Sequence, residues 1–186
     1  MNLLRALEAE GYDTGELPQS GQALIERLAA GPTNDLTDRA SRPGGELFPL
    51  AAYKRFFATL PQSVRDAVTD RWGAPESDPF VEGDAFRLAA FKLGKIVIGL
   101  QPARGYNIDP VASYHDPALV PPHGYLAFYA WLRRAVGVQA VVHMGKHGNM
   151  EWLPGKALAL SAGCFPEAVF GPLPHLYPFI VNGPGE

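Results

Sequence analysis

Three short apolar runs in the second half of this 186-residue chain restrict its architecture more than any other feature. They are Lys95 to Gln101, built around Ile96-Val97-Ile98-Gly99-Leu100, then Gln139 to Met144, and finally Tyr177 to Asn182. Each is too short for a core helix and carries β-branched or aromatic residues, so each predicts a strand. Tyr125 to Val136, between the first two, predicts a helix. Apolar strands alternating with helices point to a parallel sheet covered on both faces. In such sheets a ligand sits beyond the carboxyl ends of the strands. Arg104 follows the first run, His143 to Glu151 the second and Asn182 to Glu186 the third, so one polar rim is expected.

The first half has a helical period instead. Leu3, Leu4 and Leu7 mark one stripe, Leu24, Ile25 and Leu28 a second, and Tyr53, Phe56, Phe57 and Leu60 a third. Gly11, Gly31-Pro32, Pro61 and Gly73-Ala74-Pro75 punctuate them, and Pro61 opens a further helix at Ser63 to Trp72. The aromatic stripe at 53, 56 and 57 reads as core packing in preference to a cofactor wall. The expected fold class is α/β: a mainly helical segment over 1–93 leads into an α/β segment over 94–186. There a mostly parallel, Rossmann-like sheet carries helices on both faces.

Charge divides the chain at the same place. Residues 1–93 hold 24 Asp, Glu, Lys and Arg and residues 94–186 only 11, while all five histidines fall in the second half. A surface so short of charge suits a ligand, or other parts of a larger protein, as well as it suits a buried core. The net charge of -3 gives no footprint for nucleic acid. No apolar run is long enough for a membrane span, and Met1 to Asp13 carries charge where a signal peptide needs an apolar stretch, so a cytoplasmic protein is expected. With Cys164 as its one cysteine, the chain can form no internal disulfide and no cysteine-based zinc cage.

Chemistry concentrates between His143 and Lys156, His-Met-Gly-Lys-His-Gly-Asn-Met-Glu-Trp-Leu-Pro-Gly-Lys. His143, His147 and Glu151 are spaced four apart, but Gly145 and Gly148 oppose a helix there, each costing about 1 kcal/mol in its interior. The better expectation ends a strand at His143, turns through Gly145 to Gly148, and makes one short helical turn capped by Asn149 and stopped by Pro154-Gly155. A zinc-protease motif needs its glutamate between the two histidines, and here it follows them. A phosphate-binding Walker loop needs a glycine where Met150 stands. Taken alone, the two imidazoles and one carboxylate are compatible with a metal-dependent hydrolase or with a non-catalytic α/β scaffold in which they satisfy internal hydrogen bonds.

A resemblance narrows these choices. Gln101-Pro102-Ala103-Arg104-Gly105, Tyr114-His115-Asp116-Pro117, Pro121-Pro122-His123 with Tyr125, Gly145-Lys146-His147-Gly148-Asn149, Glu151-Trp152-Leu153-Pro154-Gly155-Lys156, and Leu173-Pro174-His175 with Tyr177-Pro178 follow one another in an order. That series resembles the large-subunit family of cobaltochelatase and magnesium chelatase, enzymes that insert Co2+ or Mg2+ into a tetrapyrrole. Lys146 and Lys156 resemble the cobalt branch, which acts on a corrinoid precursor, hydrogenobyrinic acid a,c-diamide, in cobalamin biosynthesis. In the magnesium branch the ring is protoporphyrin.

The resemblance implies a metal chelatase whose ATP and Mg2+ are bound by two smaller AAA+ type subunits and not by this chain. It also implies an internal fragment, with family sequence continuing beyond Glu186. Carried onto these positions, Glu151 and His147 are the catalytic candidates, with His147, Glu151 and His143 as metal ligands. Arg104, Lys146, Lys156, Trp152, His115 and His123 are the substrate-binding candidates, the basic groups for ring carboxylates and Trp152 or Tyr106 for the ring face.

Overall fold

The computed structural model describes residues 1–36, 42–106, 116–145, 150–155 and 160–178. Its centre is a helix with no solvent-facing side. Residues 123–130 read His-Gly-Tyr-Leu-Ala-Phe-Tyr-Ala, apolar all round, and a helix of that composition must be enclosed. Among the described residues it is the fifth α-helix, α5 (His123–Ala130), and all eight residues are buried. The chain continues as a π-helical turn, Trp131–Val136, which Gly137 ends in the left-handed conformation.

Around α5 pack α3 (Leu50–Ala58), the strand β3 (Ala85–Leu88) and the short helix α6 (Phe165–Phe170). Tyr53 and Phe56 of α3 enter the core, so the aromatic stripe does form packing surface. The next helix, α4 (Gln62–Trp72), begins directly after Pro61, as its sequence predicts, and buries Val64 and Val68. Phe48, Tyr53, Phe86, Tyr125, Leu126, Trp131, Met150 and Leu153 belong to one continuous cluster, so the main core draws on both halves of the sequence.

A smaller second core lies under the N-terminal helices. Leu4 of α1 (Asn2–Ala9) and Leu24 and Leu28 of α2 (Gly21–Ala29) pack with Phe91, Leu93, Ile96 and Ile98. The last four belong to a hairpin of β4 (Ala90–Leu93) and β5 (Ile96–Gly99), paired antiparallel with Leu93 opposite Ile96. Only Gly94 and Lys95 lie in the turn. Gly94 has φ 55 and Lys95 no positive φ, the pattern of a two-residue turn with glycine at its first central position.

The expectation of a mostly parallel, Rossmann-like sheet is therefore corrected. Among the described residues, β1 (Glu46–Pro49), β3 and β2 (Val81–Glu82) form an antiparallel sheet in the order β1-β3-β2, and β4 pairs antiparallel with β5. The strand expected around 96–100 pairs with its immediate predecessor because a glycine-led turn brings the chain straight back, and loop closure favours that nearest partner.

One parallel pair does exist: β6 (Val141–Val142) lies beside β7 (His175–Leu176), with Val141 opposite His175 and Val142 opposite Leu176. The strand expected over 177–182 is not found at Tyr177 and Pro178, which follow β7 outside any strand, and residues 179–182 lie outside the described ones. Among the described residues no helix is long and apolar enough to cross a membrane.

Candidate functional site

Asn149 lies outside the described residues, and the short turn expected after it is present as a 3-10 helix, Met150–Trp152. Met150 and Leu153 stand three apart, which in a 3-10 turn puts both on one side, and both are buried in the main core. Leu153 N–H donates to Met150 O at 3.2 Å, and Phe165 N–H at the start of α6 donates to Pro154 O at 2.9 Å. Gly155 then runs against Cys164 with φ 118; a Cβ there would stand 2.9 Å from Cys164 Cα. Trp152, between the two buried anchors, is 36% exposed. Glu151 is placed by its backbone within this turn.

Arg104 meets the turn by a route other than a strand end. Gln101 O accepts from Asn34 Nδ2 at 3.0 Å, and Ala103 N–H donates to Asn34 Oδ1 at 3.0 Å, so one amide side chain holds the segment that leads to Arg104. Arg104 is 5% exposed. Its Nη1 donates to Asp116 O at 3.0 Å and, by a short bond, to Trp152 O. Nη1 has two N–H groups, and these two carbonyls take both. Arg104 thus ties the loop around Asp116 to the turn that carries Glu151. The rim argument from parallel strands does not hold, yet the proximity of Arg104 to the Glu151 turn does.

His123, expected at the substrate, lies inside the core. Its Nε2 is 3.0 Å from Gly73 O, which can only accept, so Nε2 carries the proton and Nδ1 accepts from Tyr53 O–H at 2.6 Å. Both ring nitrogens are used and the residue is fully buried, which leaves no ring atom for a ligand. Burial holds the His123 pKa below the usual imidazole value, and burial pushes that of Tyr53 well up.

Beside His123, Asp78 serves the same helix end. It accepts from Gly124 N–H at 2.6 Å, from Phe80 N–H at 2.9 Å and, by a short bond, from Tyr106 O–H. Burial raises its carboxyl above the ordinary range despite these donors. Tyr106, a candidate for the ring face, is edge-on to Trp72 at 5.0 Å between centroids and has φ 60. It is committed to anchoring the N-terminus of α5.

His143 follows β6 directly, and its N–H extends the parallel ladder to Leu176 O at 2.8 Å. It is therefore at the carboxyl end of its strand, as expected. Its ring lies 4.9 Å from that of Tyr177 and 6.0 Å from that of His175. Lys146, His147, Lys156 and His115 lie outside the described residues, as does the Glu151 side chain. Among the described residues, no group of three or more His, Cys, Asp or Glu could hold a metal ion. Sequence reasoning missed Asn34, Asp78 and the pairing of His175 with His143. Nothing local marks Asn34, whose partners lie 67 and 69 residues away; His175 stood in a recognisable block but without an assigned part.

Known proteins supply the remaining findings. The family model described as CobN/Magnesium Chelatase matches residues 1–186. The aerobic cobaltochelatase subunit CobN of Sinorhizobium sp is 60% identical over 187 residues, covering 100% of this chain and 14% of that protein. A magnesium-chelatase subunit of Chlorobaculum parvum is 35% identical over 187 residues, again 100% of this chain and 14% of the relative. Among solved structures, the catalytic subunit of cobaltochelatase from Mycobacterium tuberculosis superposes with a TM-score of 0.82 at 42% identity, covering 99% of this chain and 16% of that one. The chain thus spans about one seventh of the length of these curated relatives.

Proposed function

Because the chain belongs to the CobN/magnesium chelatase family, we propose that it is a segment of the tetrapyrrole-binding subunit of an ATP-dependent cobaltochelatase, which inserts Co2+ into hydrogenobyrinic acid a,c-diamide. The observation that carries the cobalt reading is the difference in identity over the same residues, 60% to a CobN subunit against 35% to a magnesium-chelatase subunit. Lys146 and Lys156 support the same branch.

Inserting an ion into the ring requires three things: removal of its waters, loose holding, and acceptance of the inner N–H protons. Imidazole and carboxylate suit all three, so Glu151 and His147 are the proposed metal ligands and proton acceptors, with His143 supporting them. Lys146 and Lys156 pair with the acidic groups on the ring, Trp152 packs on its face, and His115 contributes a further polar contact. Arg104 is a positioning residue in this scheme, because its donors hold Trp152 O and Asp116 O. In this reading ATP and Mg2+ are bound by two smaller AAA+ type partner subunits, in a cytoplasmic complex.

The full-length subunit with its ATPase partners provides the test. Supplied with ATP, Co2+ and the corrinoid precursor, the wild type metallates the ring, and Glu151→Gln lowers the rate about 100-fold or more with the fold intact. Wild-type insertion by a folded Glu151→Gln subunit would remove Glu151 from the mechanism. Tighter binding of protoporphyrin than of the corrinoid would move the assignment to the magnesium branch.

A further inference from the structure

The parallel pair β6–β7 sorts its side chains by register. Paired positions share a face and alternate along each strand, so Val141, His143, His175 and Tyr177 fall on one face and Val142 and Leu176 on the other. On the first face the His143 and His175 ring centroids are 6.0 Å apart. Each imidazole has an aromatic neighbour: Tyr177 lies 4.9 Å from His143, and Phe170 lies 5.0 Å from His175. The His175 and Tyr177 rings are parallel within 2°.

The separation falls within coordination range. A metal–nitrogen bond of about 2.0–2.1 Å, plus ~1.1 Å from nitrogen to ring centre, puts an ion roughly 3.2 Å from each centroid. Two imidazoles can then share one ion out to about 6.4 Å. The observed 6.0 Å is inside that limit, at a wide ligand–metal–ligand angle. Within this chain His175 is exposed and His143 half-buried.

We propose that His143 and His175 together form a docking site for the incoming divalent transition-metal ion, the substrate ion of the chelatase reading on which this inference rests. Two ligands are appropriate for cargo. A closed four-ligand site holds zinc structurally, whereas an ion bound by two imidazoles keeps its remaining positions for water and can be released. Imidazole also selects ion class, favouring Co2+, Ni2+, Cu2+ and Zn2+ over Mg2+, which prefers oxygen ligands and keeps its waters. The pair therefore sorts cobalt-type ions from magnesium before the ring is reached.

The full-length subunit, without its partners, is titrated with CoCl2 and followed by the visible ligand-field absorption of bound Co2+ and by calorimetry. Wild type binds an equivalent that millimolar Mg2+ does not displace. His143→Ala, His175→Ala and His175→Gln each weaken that equivalent at least tenfold, and the His143→Ala/His175→Ala double variant is little weaker than either single one because one site has been lost. Tyr177→Phe keeps the ring and binds as wild type. Folded His175→Ala and His175→Gln proteins with wild-type Co2+ affinity would overturn the site. Insertion by the complete complex is measured in parallel. Normal insertion together with normal Co2+ binding by both His175 variants sinks the docking site and leaves the chelatase reading standing. A wild-type complex that inserts no metal sinks the chelatase reading, while the titration still decides whether the two histidines hold an ion.

Discussion

Replacing Arg104 by alanine separates two jobs that a basic residue can do beside a tetrapyrrole. Its Nη1 makes charge-assisted bonds to Asp116 O and Trp152 O, and each such bond contributes about 1.5–3 kcal/mol. Trp152 is 36% exposed as a residue, and water entering the space left by the guanidinium replaces part of the lost bonding. That brings the expected loss for the pair down to about 2–4 kcal/mol. For a chain of this length the loss lowers Tm by roughly 4–16 °C. Thermal unfolding followed by near-ultraviolet circular dichroism measures it. The functional signature in the full-length enzyme is a fall in kcat with little change in KM for the ring, because the turn carrying Glu151 loses its tether. Arg104→Lys gives little rescue: the lysine stem is shorter and its compact ammonium costs more to bury. A residue that pairs a ring carboxylate behaves differently, raising KM and tolerating lysine. An Arg104→Ala protein with wild-type Tm and only weaker ring binding would refute the tether.

Two further outcomes follow from the core. Burial depresses the His123 pKa, so near pH 6.5 the unfolded chain takes up a proton that the folded one refuses. The contribution of His123 is then fully present above that pH and is lost as pH falls through it, with a slope of at most about 1.4 kcal/mol per pH unit. Asp78, raised by burial, acts with the opposite sign above its ordinary value of 3.8, so the test is the difference between wild type and His123→Gln in urea unfolding from pH 5 to 8. A difference independent of pH would refute the buried neutral imidazole. Gly155→Ala combines φ 118 with a Cβ 2.9 Å from Cys164 Cα. It should destabilise by about 2–4 kcal/mol, seen as a lower urea midpoint at unchanged slope; an unchanged midpoint would mean that the turn has room to shift.

Local pattern carried much of the architecture. The stripes at Leu3, Leu4 and Leu7, at Leu24 and Leu28, and at Tyr53 and Phe56 became helices because an apolar face at period 3.6 has few ways to leave water. The rigid turn after the glycine loop was legible for a similar reason: Pro154-Gly155 cannot continue a helix, and Met150 and Leu153 supply two apolar anchors three apart. Strand partners were less accessible. The run at 96–99 looked like a central parallel strand, and the Gly94-Lys95 turn that folds it back on Ala90–Leu93 is a weaker signal than a run of isoleucine and valine. The first-half strands Ala85–Leu88 and Ala90–Leu93 went unread for the same reason.

The sequence by itself determined the family, the helices from α1 to α5 but not α6, the break after His143 and the residue types available for metal and ring chemistry. These depend on side-chain identity, short-range periodicity and backbone restrictions at glycine and proline, all written along the chain. Only the tertiary structure decided what each polar group does. His123 and Arg104 are equally plausible ligands on paper, but His123 is spent on Tyr53 and Gly73, and Arg104 on the carbonyls of Asp116 and Trp152. His175, which local pattern left without a role, stands across from His143. A buried donor or acceptor must find a partner wherever the packing offers one, and that partner lies tens of residues away in the chain.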